Sequence, residues 1–379
     1  MRITRLRLEN WRNFHESDAP LEQRVFLVGP NAAGKSNFLD AIRFLRDVAD
    51  PQGGFQRAVG TRGGVAQIRS LHGHRPPHVA LEVEVDLGDG APWKYRLEFT
   101  RDSQRRPIVK TEVVTHGGKL LRERPNKADK NDPDLLSQTH LEQVNTNRPF
   151  RELADFFSRI RYLHLVPQLV REPDRSKGRV DDPFGGDFLK QLARVPPKTR
   201  NSRLKRITSA LRVAVPQLQE LNLKRDEQGV PHLRVRHRHW RPGAVAQNET
   251  QLSDGTLRLL GLLWALLDGT APLLLEEPEL SVHTAIVRHI PQMLARLNHK
   301  NNRQVIISTH SAELLADEGI GGEEVLVLTP HKAGTQVEVA GAIEPIRALL
   351  DGGLTVADAV IPRTAPRGSK QLTWLGGPL

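Results

Sequence analysis

Gly29-Pro30-Asn31-Ala32-Ala33-Gly34-Lys35-Ser36 is the stretch from which the rest of this 379-residue chain is read. It fits the pattern G-x-x-x-x-G-K-[ST] at every required position. An apolar strand candidate, Arg24-Val25-Phe26-Leu27-Val28, precedes it. A helical pattern follows, with Phe38, Leu39, Ile42, Phe44 and Leu45 on roughly one face. Strand, Gly-rich loop and helix form the context in which such a loop binds phosphate. Gly29 and Gly34 let the backbone turn tightly, so that successive N–H groups point at phosphate oxygens. The helix N-terminus adds partial positive charge. Lys35 would reach the terminal phosphates, and the Ser36 hydroxyl would ligate Mg²⁺. Asn31, Ala32, Ala33 and Asn37 complete the candidate cofactor-binding set. A Gly-rich surface turn is the competing account, and the flanking elements argue against it.

The composition is that of a globular chain, 38% apolar and 26% charged. A formal net charge of +11 suggests a polyanionic partner, nucleic acid before membrane. With no cysteine, disulfides, Cys-ligated zinc and cysteine catalysis are excluded. Met1-Arg2-Ile3-Thr4-Arg5 lacks an apolar signal-peptide core, and the longest apolar run, Leu259 to Leu267, is too short to span a bilayer. A cytoplasmic protein with no membrane partner is the expectation.

Along the chain, Ile3, Leu6 and Leu8 mark a first strand, closed by Asn10-Trp11-Arg12-Asn13-Phe14. Residues 55–78 suggest a basic loop region, where His72, His74 and His78 are expected to be solvated rather than metal-bound. From Val79 the apolar period is two, through Tyr95–Phe99 and Ile108–Val114, predicting an antiparallel sheet. Arg122 to Asp134, a run of charge, Pro and Asn, suggests a mobile loop or an insertion. Within it Asn126-Lys127-Ala128-Asp129 spells a guanine-reading tetrapeptide, but a polar run is the wrong setting for it. Helices are expected at 150–157, near 187–194 and at 202–214, with a strand at 160–166. Leu233 and Val235 alternate with Arg234, Arg236 and Arg238. A strand there puts three arginines on one face, either as a charge-guarded edge or as a phosphate-tracking surface.

Further on, Gln251-Leu252-Ser253-Asp254-Gly255-Thr256 precedes a strongly apolar helix, a second anion-binding end. Pro272 to Leu275 is a buried strand ending in Glu276-Glu277-Pro278-Glu279. Apolar strands that deliver carboxylates to their C-terminal ends present a Mg²⁺ ligand and a water-activating base. A helix from about Leu280 to Leu297 follows. Gln304 to Ile307 is another buried strand, ending in Ser308-Thr309-His310-Ser311. These strand ends fit one edge of one parallel sheet.

In this order the motifs resemble the ABC-type ATPase heads of the SMC/RecF/OLD group, within the broad AAA family ATPase class that includes many bacterial genome-defence ATPases. The resemblance runs through the opening strand, the loop Gly29–Ser36, the signature-like Leu252–Thr256, the Walker B-like Leu273–Glu279 and the switch-like Ser308–Ser311. It implies a P-loop α/β fold of ABC-ATPase type, with a mixed, largely parallel core sheet, an antiparallel β subdomain and a helical lobe. The expected division of the single head is a nucleotide-binding core at 1–120 and 230–345, an inserted helical lobe at 121–229 and a tail at 346–379. The implied cofactors are ATP and Mg²⁺.

Carried over position by position, Glu276 is the Mg²⁺-associated acid, Glu277 the general base and His310 the γ-phosphate contact. Ser253 and Gly255 match signature residues that touch the nucleotide of an opposing subunit, so two heads sandwich two ATPs. Arg12 matches an arginine near the nucleotide, and Gln67 is a candidate for the Q-loop glutamine. The stretch between Val166 and Gln251 is too short and interrupted for a long coiled-coil arm. About 70 residues follow His310, too few for an appended nuclease domain. The resemblance therefore implies a stand-alone head, a homodimer or higher oligomer, working with nucleic acid and a separate nuclease or toxic effector in antiphage defence. A RecF-like repair ATPase, a transporter subunit and a GTPase are the alternatives.

Overall fold

The computed structural model describes residues 1–70, 78–176, 182–238 and 247–365. The chain opens on a hairpin, β1 (Arg2–Trp11) and β2 (Phe14–Pro20), with Arg12 at φ 52° in the turn. β3 (Arg24–Val28) leads through the Gly-rich loop into α1 (Lys35–Val48). Two short helices follow, α2 (Gly54–Gly60) and α3 (Val65–Ile68), where a loop was expected; His72 and His74 lie outside the described residues. β4 (Val79–Asp86), β5 (Trp93–Arg101) and β6 (Pro107–His116) form the expected antiparallel sheet, and β7 (Lys119–Arg124), which was not expected, extends it into the segment read as a loop. Then come α4 (Lys127–Asn131), α5 (Arg151–Ser158) and β8 (Arg161–Leu163). A helical region follows: α6 (Pro167–Arg171), α7 (Phe188–Arg194) and α8 (Pro197–Ala214), then the hairpin β9 (Leu218–Arg225) and β10 (Pro231–His237), then α9 (Asp254–Leu267). β11 (Leu273–Glu276), α10 (Thr284–Val287), α11 (Ile290–Asn301), β12 (Val305–Thr309) and α12 (Ala312–Leu315) return to the core. β13 (Val325–His331), β14 (Gly334–Val339), α13 (Glu344–Asp351) and α14 (Val356–Thr364) end the described chain.

Two six-stranded sheets carry the fold. One is antiparallel, in the order β2-β1-β4-β5-β6-β7; the other runs β14-β13-β3-β12-β11-β8, parallel except for β14. The central strands β3, β11 and β12 are near-continuous apolar runs because both of their faces are covered. Val25, Leu27, Leu274 and Ile306 face the core that holds α1 and the antiparallel sheet. Phe26, Val28, Leu273, Leu275, Val305 and Ile307 face the core that holds the helical region. Trp11 and Phe99 pack on Phe44, and Phe14 on Phe38, so aromatic side chains join α1 to the antiparallel sheet. Full burial of each such ring stabilises the fold by about 1.5–3 kcal/mol.

The architecture matches the expected fold class, but the internal boundaries differ. β8 belongs to the core sheet beside β11, so the helical lobe begins only after Leu163 rather than at residue 121. β10 pairs with β9 rather than with the core, so the lobe runs past residue 230. Residues 346–364 are not a tail. Ile346, Val356, Ala359 and Val360 are buried in the second core. The mobile loop expected at 122–134 is ordered by Arg124, whose guanidinium is buried against Asp129, while Asn126 and Asp129 form the capping box of α4. That structural use accounts for the guanine-reading tetrapeptide. The helix expected from Leu280 to Leu297 is broken between α10 and α11.

In β10, Leu233 and Val235 are buried while Arg234 and Arg236 are exposed on the opposite face. Arg238 does not join them in the strand. The register shifts between Arg236 and His237, and Arg238 lies beyond the strand end. Among the described residues no helix is long and apolar enough to cross a membrane.

Candidate nucleotide site

Parallel pairing is what gathers the site. β11 and β12 align Leu275 with Ile307 and Glu276 with Ser308, while β12 and β3 align Thr309 with Val28. The three strands therefore finish together. Gly29, the Glu276–Glu277 pair and His310 emerge at one sheet edge, as their positions after buried strands predicted.

The loop is held by its own close packing. Gly34 has φ 102°, and a Cβ there would come within 2.2 Å of the Asn13 amide. A Cβ on Gly29 would come within 2.5 Å of the Leu328 carbonyl oxygen. Asn13 donates to the Ala33 carbonyl at 2.8 Å and to Thr335 Oγ1 at 2.6 Å, and Thr335 donates to the same carbonyl at 2.9 Å. Asn37 donates to Asn13 Oδ1 at 2.8 Å. Asn31 is exposed, Ala32 has φ 63° and Ala33 is buried. This brace gives Asn37 a structural bond within the site. Asn13 and Thr335 had no sequence signal as partners, because 322 residues separate them.

Lys35 is buried and donates to the carbonyls of Gly29 and Pro30, at 3.0 and 3.2 Å. Burial pulls its pKa down to about 8, against the opposing pull of Glu277, Glu276 and Glu279. The Ser36 hydroxyl donates to Glu276 Oε1, and the Tyr162 hydroxyl donates to its other oxygen. A serine hydroxyl beside a carboxylate is an all-oxygen set suited to Mg²⁺. Glu277 sits at φ 44°, in the left-handed region, with its N–H on the Ser308 carbonyl at 3.0 Å. His310 Nε2 lies 3.5 Å from Glu277 Oε1. Burial, then the charge of Lys35, lowers the His310 pKa against the opposing pull of Glu277, which favours the neutral ring. Glu279 accepts from Thr309 Oγ1 at 2.6 Å and from the His310 N–H at 3.3 Å, tying the acid loop to the histidine. Sequence reasoning quoted Glu279 but missed this role, for which the carboxylate three residues after Glu276 was the available signal. Tyr162 was missed for lack of any motif.

Ser253 caps α9, accepting from the Thr256 N–H at 3.3 Å, and is exposed. A Cβ on Gly255 would come within 2.3 Å of the Ser281 carbonyl oxygen, so the start of α9 abuts the loop after the acids. Leu280 in that loop is 37% exposed, an apolar side chain at the rim. Arg12 donates to the Gln67 carbonyl at 2.9 Å and lies 3.9 Å from Asp40, one turn into α1 from Ser36. Burial lowers its pKa. Gln67 is exposed on α3, off the parallel sheet. Arg234 and Arg236 belong to the β9–β10 hairpin, which pairs with neither core sheet, and Arg238 lies just past its end.

Residues 24–316 match the family described as "AAA domain, putative AbiEii toxin, Type IV TA system". The chain belongs to this family. Its fold is that of SMC head domains. The structure is similar to an SMC head bound to the C-winged helix domain of ScpA, with TM-score 0.53, 12% identity, and 92% of this chain and 100% of that one covered. A similar match, at TM-score 0.53 and 13% identity over 93% and 99% of the two chains, is the SMC head with an extended coiled coil bound to the C-terminal domain of ScpA derived from Pyrococcus furiosus. In sequence the chain is 43% identical over 121 residues to structural maintenance of chromosomes protein 1 of Schizosaccharomyces pombe, across 30% of this chain and 10% of that one. It is 45% identical over 58 residues to the DNA replication and repair protein RecF of Roseiflexus castenholzii, 15% of either chain. The matched stretches therefore span small fractions of these two relatives.

Proposed function

We propose that this member of the AAA family binds and hydrolyses ATP with Mg²⁺, as a homodimer closed around two nucleotides. The observation that carries the reading is the convergence of Lys35, Ser36, Glu276, Glu277 and His310 at one sheet edge. Ser36 and Glu276 would hold Mg²⁺, and bound metal supplies charge neutralisation for the phosphates. Lys35, Gly29 to Gly34 and Asn37 would hold the phosphates, with Arg12 beside them. Glu277 accepts a proton from the attacking water, and neutral His310 orients beside it. The exposed Ser253, with Gly255 seated against the loop of Leu280, supports a contact with a second head.

The reading extends to biology through the family description and the relatives. A separate nuclease or toxin regulated by this head in antiphage defence is the role we favour, and a RecF-like repair ATPase that binds DNA is the alternative. The basic chain supports a nucleic-acid partner in either. The test of the chemistry is a pair of variants. Lys35→Ala should lose ATP binding, while Glu277→Gln should bind ATP and hydrolyse it at least about a hundredfold more slowly, because an amide cannot accept the proton. Turnover near the parent rate in Glu277→Gln, measured by phosphate release, would remove Glu277 from the reaction.

A further inference from the structure

We infer that the exposed face of α8 is the surface on which this protein carries the phosphodiester backbone of a nucleic-acid duplex. The inference rests on the nucleic-acid reading above and moves its site away from the β10 arginines.

Residues 188–219 hold eight cations, Lys190, Arg194, Lys198, Arg200, Arg203, Lys205, Arg206 and Arg212, and no acid. A stretch of this kind accounts for most of a net charge of +11. α8 is 18 residues long, about 27 Å at the usual rise. Leu204, Ile207 and Leu211 are buried, and they define its inward side. Lys198, Ser202, Lys205, Arg206 and Ser209 are exposed at helical spacing on the other side. None of Lys198, Lys205 and Arg206 has an acidic partner among the described residues. Exposed cations interleaved with hydroxyls, with no carboxylate to neutralise them, suit phosphate oxygens spaced along a backbone.

The hairpin arginines have a different setting. Arg236 lies 3.7 Å from Glu220 on the neighbouring strand, and Arg234 stands opposite Asn222. They point away from the buried Leu233 and Val235, whereas α7, α8 and that apolar face share one core. The two basic sets therefore do not make one surface.

α8 is also joined to the site. Arg203 on its inner side bonds Asp268 at 2.7 Å and lies 5.3 Å from the Trp264 ring centre, at the end of α9. α9 begins at the Ser253 cap. A load on α8 is thus borne by the helix that starts with the signature residues.

The experiment is fluorescence anisotropy of the whole chain with labelled 30-base-pair duplex DNA and, separately, duplex RNA of the same sequence. Lys198→Gln/Lys205→Gln/Arg206→Gln is compared with Arg234→Gln/Arg236→Gln. Three phosphate contacts give a log–log salt slope of about −2.7, a loss of about fortyfold in affinity between 50 and 200 mM salt. The α8 variant should lose about that much of the parent slope, while the hairpin variant keeps it. Its three positions are exposed, so it should unfold at the parent's temperature, which circular dichroism checks. Whichever duplex is bound identifies the source of the backbone. An α8 variant that binds like the parent at every salt overturns the inference. If the hairpin variant alone weakens binding, nucleic acid remains a partner but the surface is β10. If neither duplex binds the parent at 50 mM salt, the nucleic-acid reading fails together with the inference.

Discussion

Lys35 is a cation held where a cation is costly. Burial lowers its pKa to about 8, and three glutamates at the same sheet edge keep it from falling further. In the free protein the neutral lysine is favoured by the fold, so stability rises as pH climbs from about 8 toward the usual lysine value. Triphosphate binding needs the charged form and has the opposite dependence. Affinity for Mg·ATP should be constant below pH 8 and fall up to about tenfold per pH unit above it. Calorimetry at pH 8.5 in buffers of different ionisation enthalpy should register proton uptake. Affinity that stays flat from pH 7 to 9.5 would mean that Lys35 does not carry its charge to the phosphate. The lysine was legible in the sequence because its loop is local: eight consecutive residues between a strand and a helix. Glu276, Glu277 and His310 were legible for a related reason, each lying at or just past the C-terminal end of a buried apolar strand. Asn13 reaches the site from the β1–β2 turn, Thr335 from β14 and Tyr162 from β8, and no spacing rule connects them to it.

At the scale of elements, the sequence showed which segments are helices and strands better than it showed which sheet they join. β8 is three residues long and β10 seven, yet the short one belongs to the core and the longer one to the lobe. Pairing partners are decided by tertiary contacts that alternation does not encode. The contact between the start of α9 and the loop of Ser281 is another such case. Glycine at 255 looked like a signature match, whereas the structure adds a steric requirement, since a methyl group would fall 2.3 Å from a backbone oxygen. Backbone cannot step aside as a side-chain tip can. Gly255→Ala should cost about 1–3 kcal/mol of stability and shift α9 relative to Glu277. ATPase turnover should drop more than ATP affinity does, because the Gly29–Gly34 loop leads into α1, away from the Gly255 contact. Equal stability and turnover in the variant, by urea unfolding and phosphate release, would show that the two elements are not in firm contact.

The whole molecule shares its parallel sheet between two cores, one with α1, which follows the Gly-rich loop, and one with α9, which starts at Ser253. Relative movement of the two would therefore be felt along β3, β11 and β12, which are the strands that end in the site. Ser253 and Leu280 are both exposed where α9 meets the acid loop, and an apolar side chain at a polar rim is suited to a second protein surface. If that surface is a second head, blocking hydrolysis should accumulate the closed dimer. Glu277→Gln with Mg·ATP should elute at twice the monomer mass in size exclusion with light scattering, and as a monomer without nucleotide. Adding Ser253→Arg to that protein should return it to monomer without loss of ATP binding, since an arginine at the α9 cap puts bulk and charge into the seam and leaves the loop of its own chain intact. A Ser253→Arg/Glu277→Gln protein that still dimerises with ATP would place the interface elsewhere. Hydrolysis would then have to be explained within one head, by Lys35, Ser36 and Glu276 together with Glu277 and His310, which lie 3.5 Å apart.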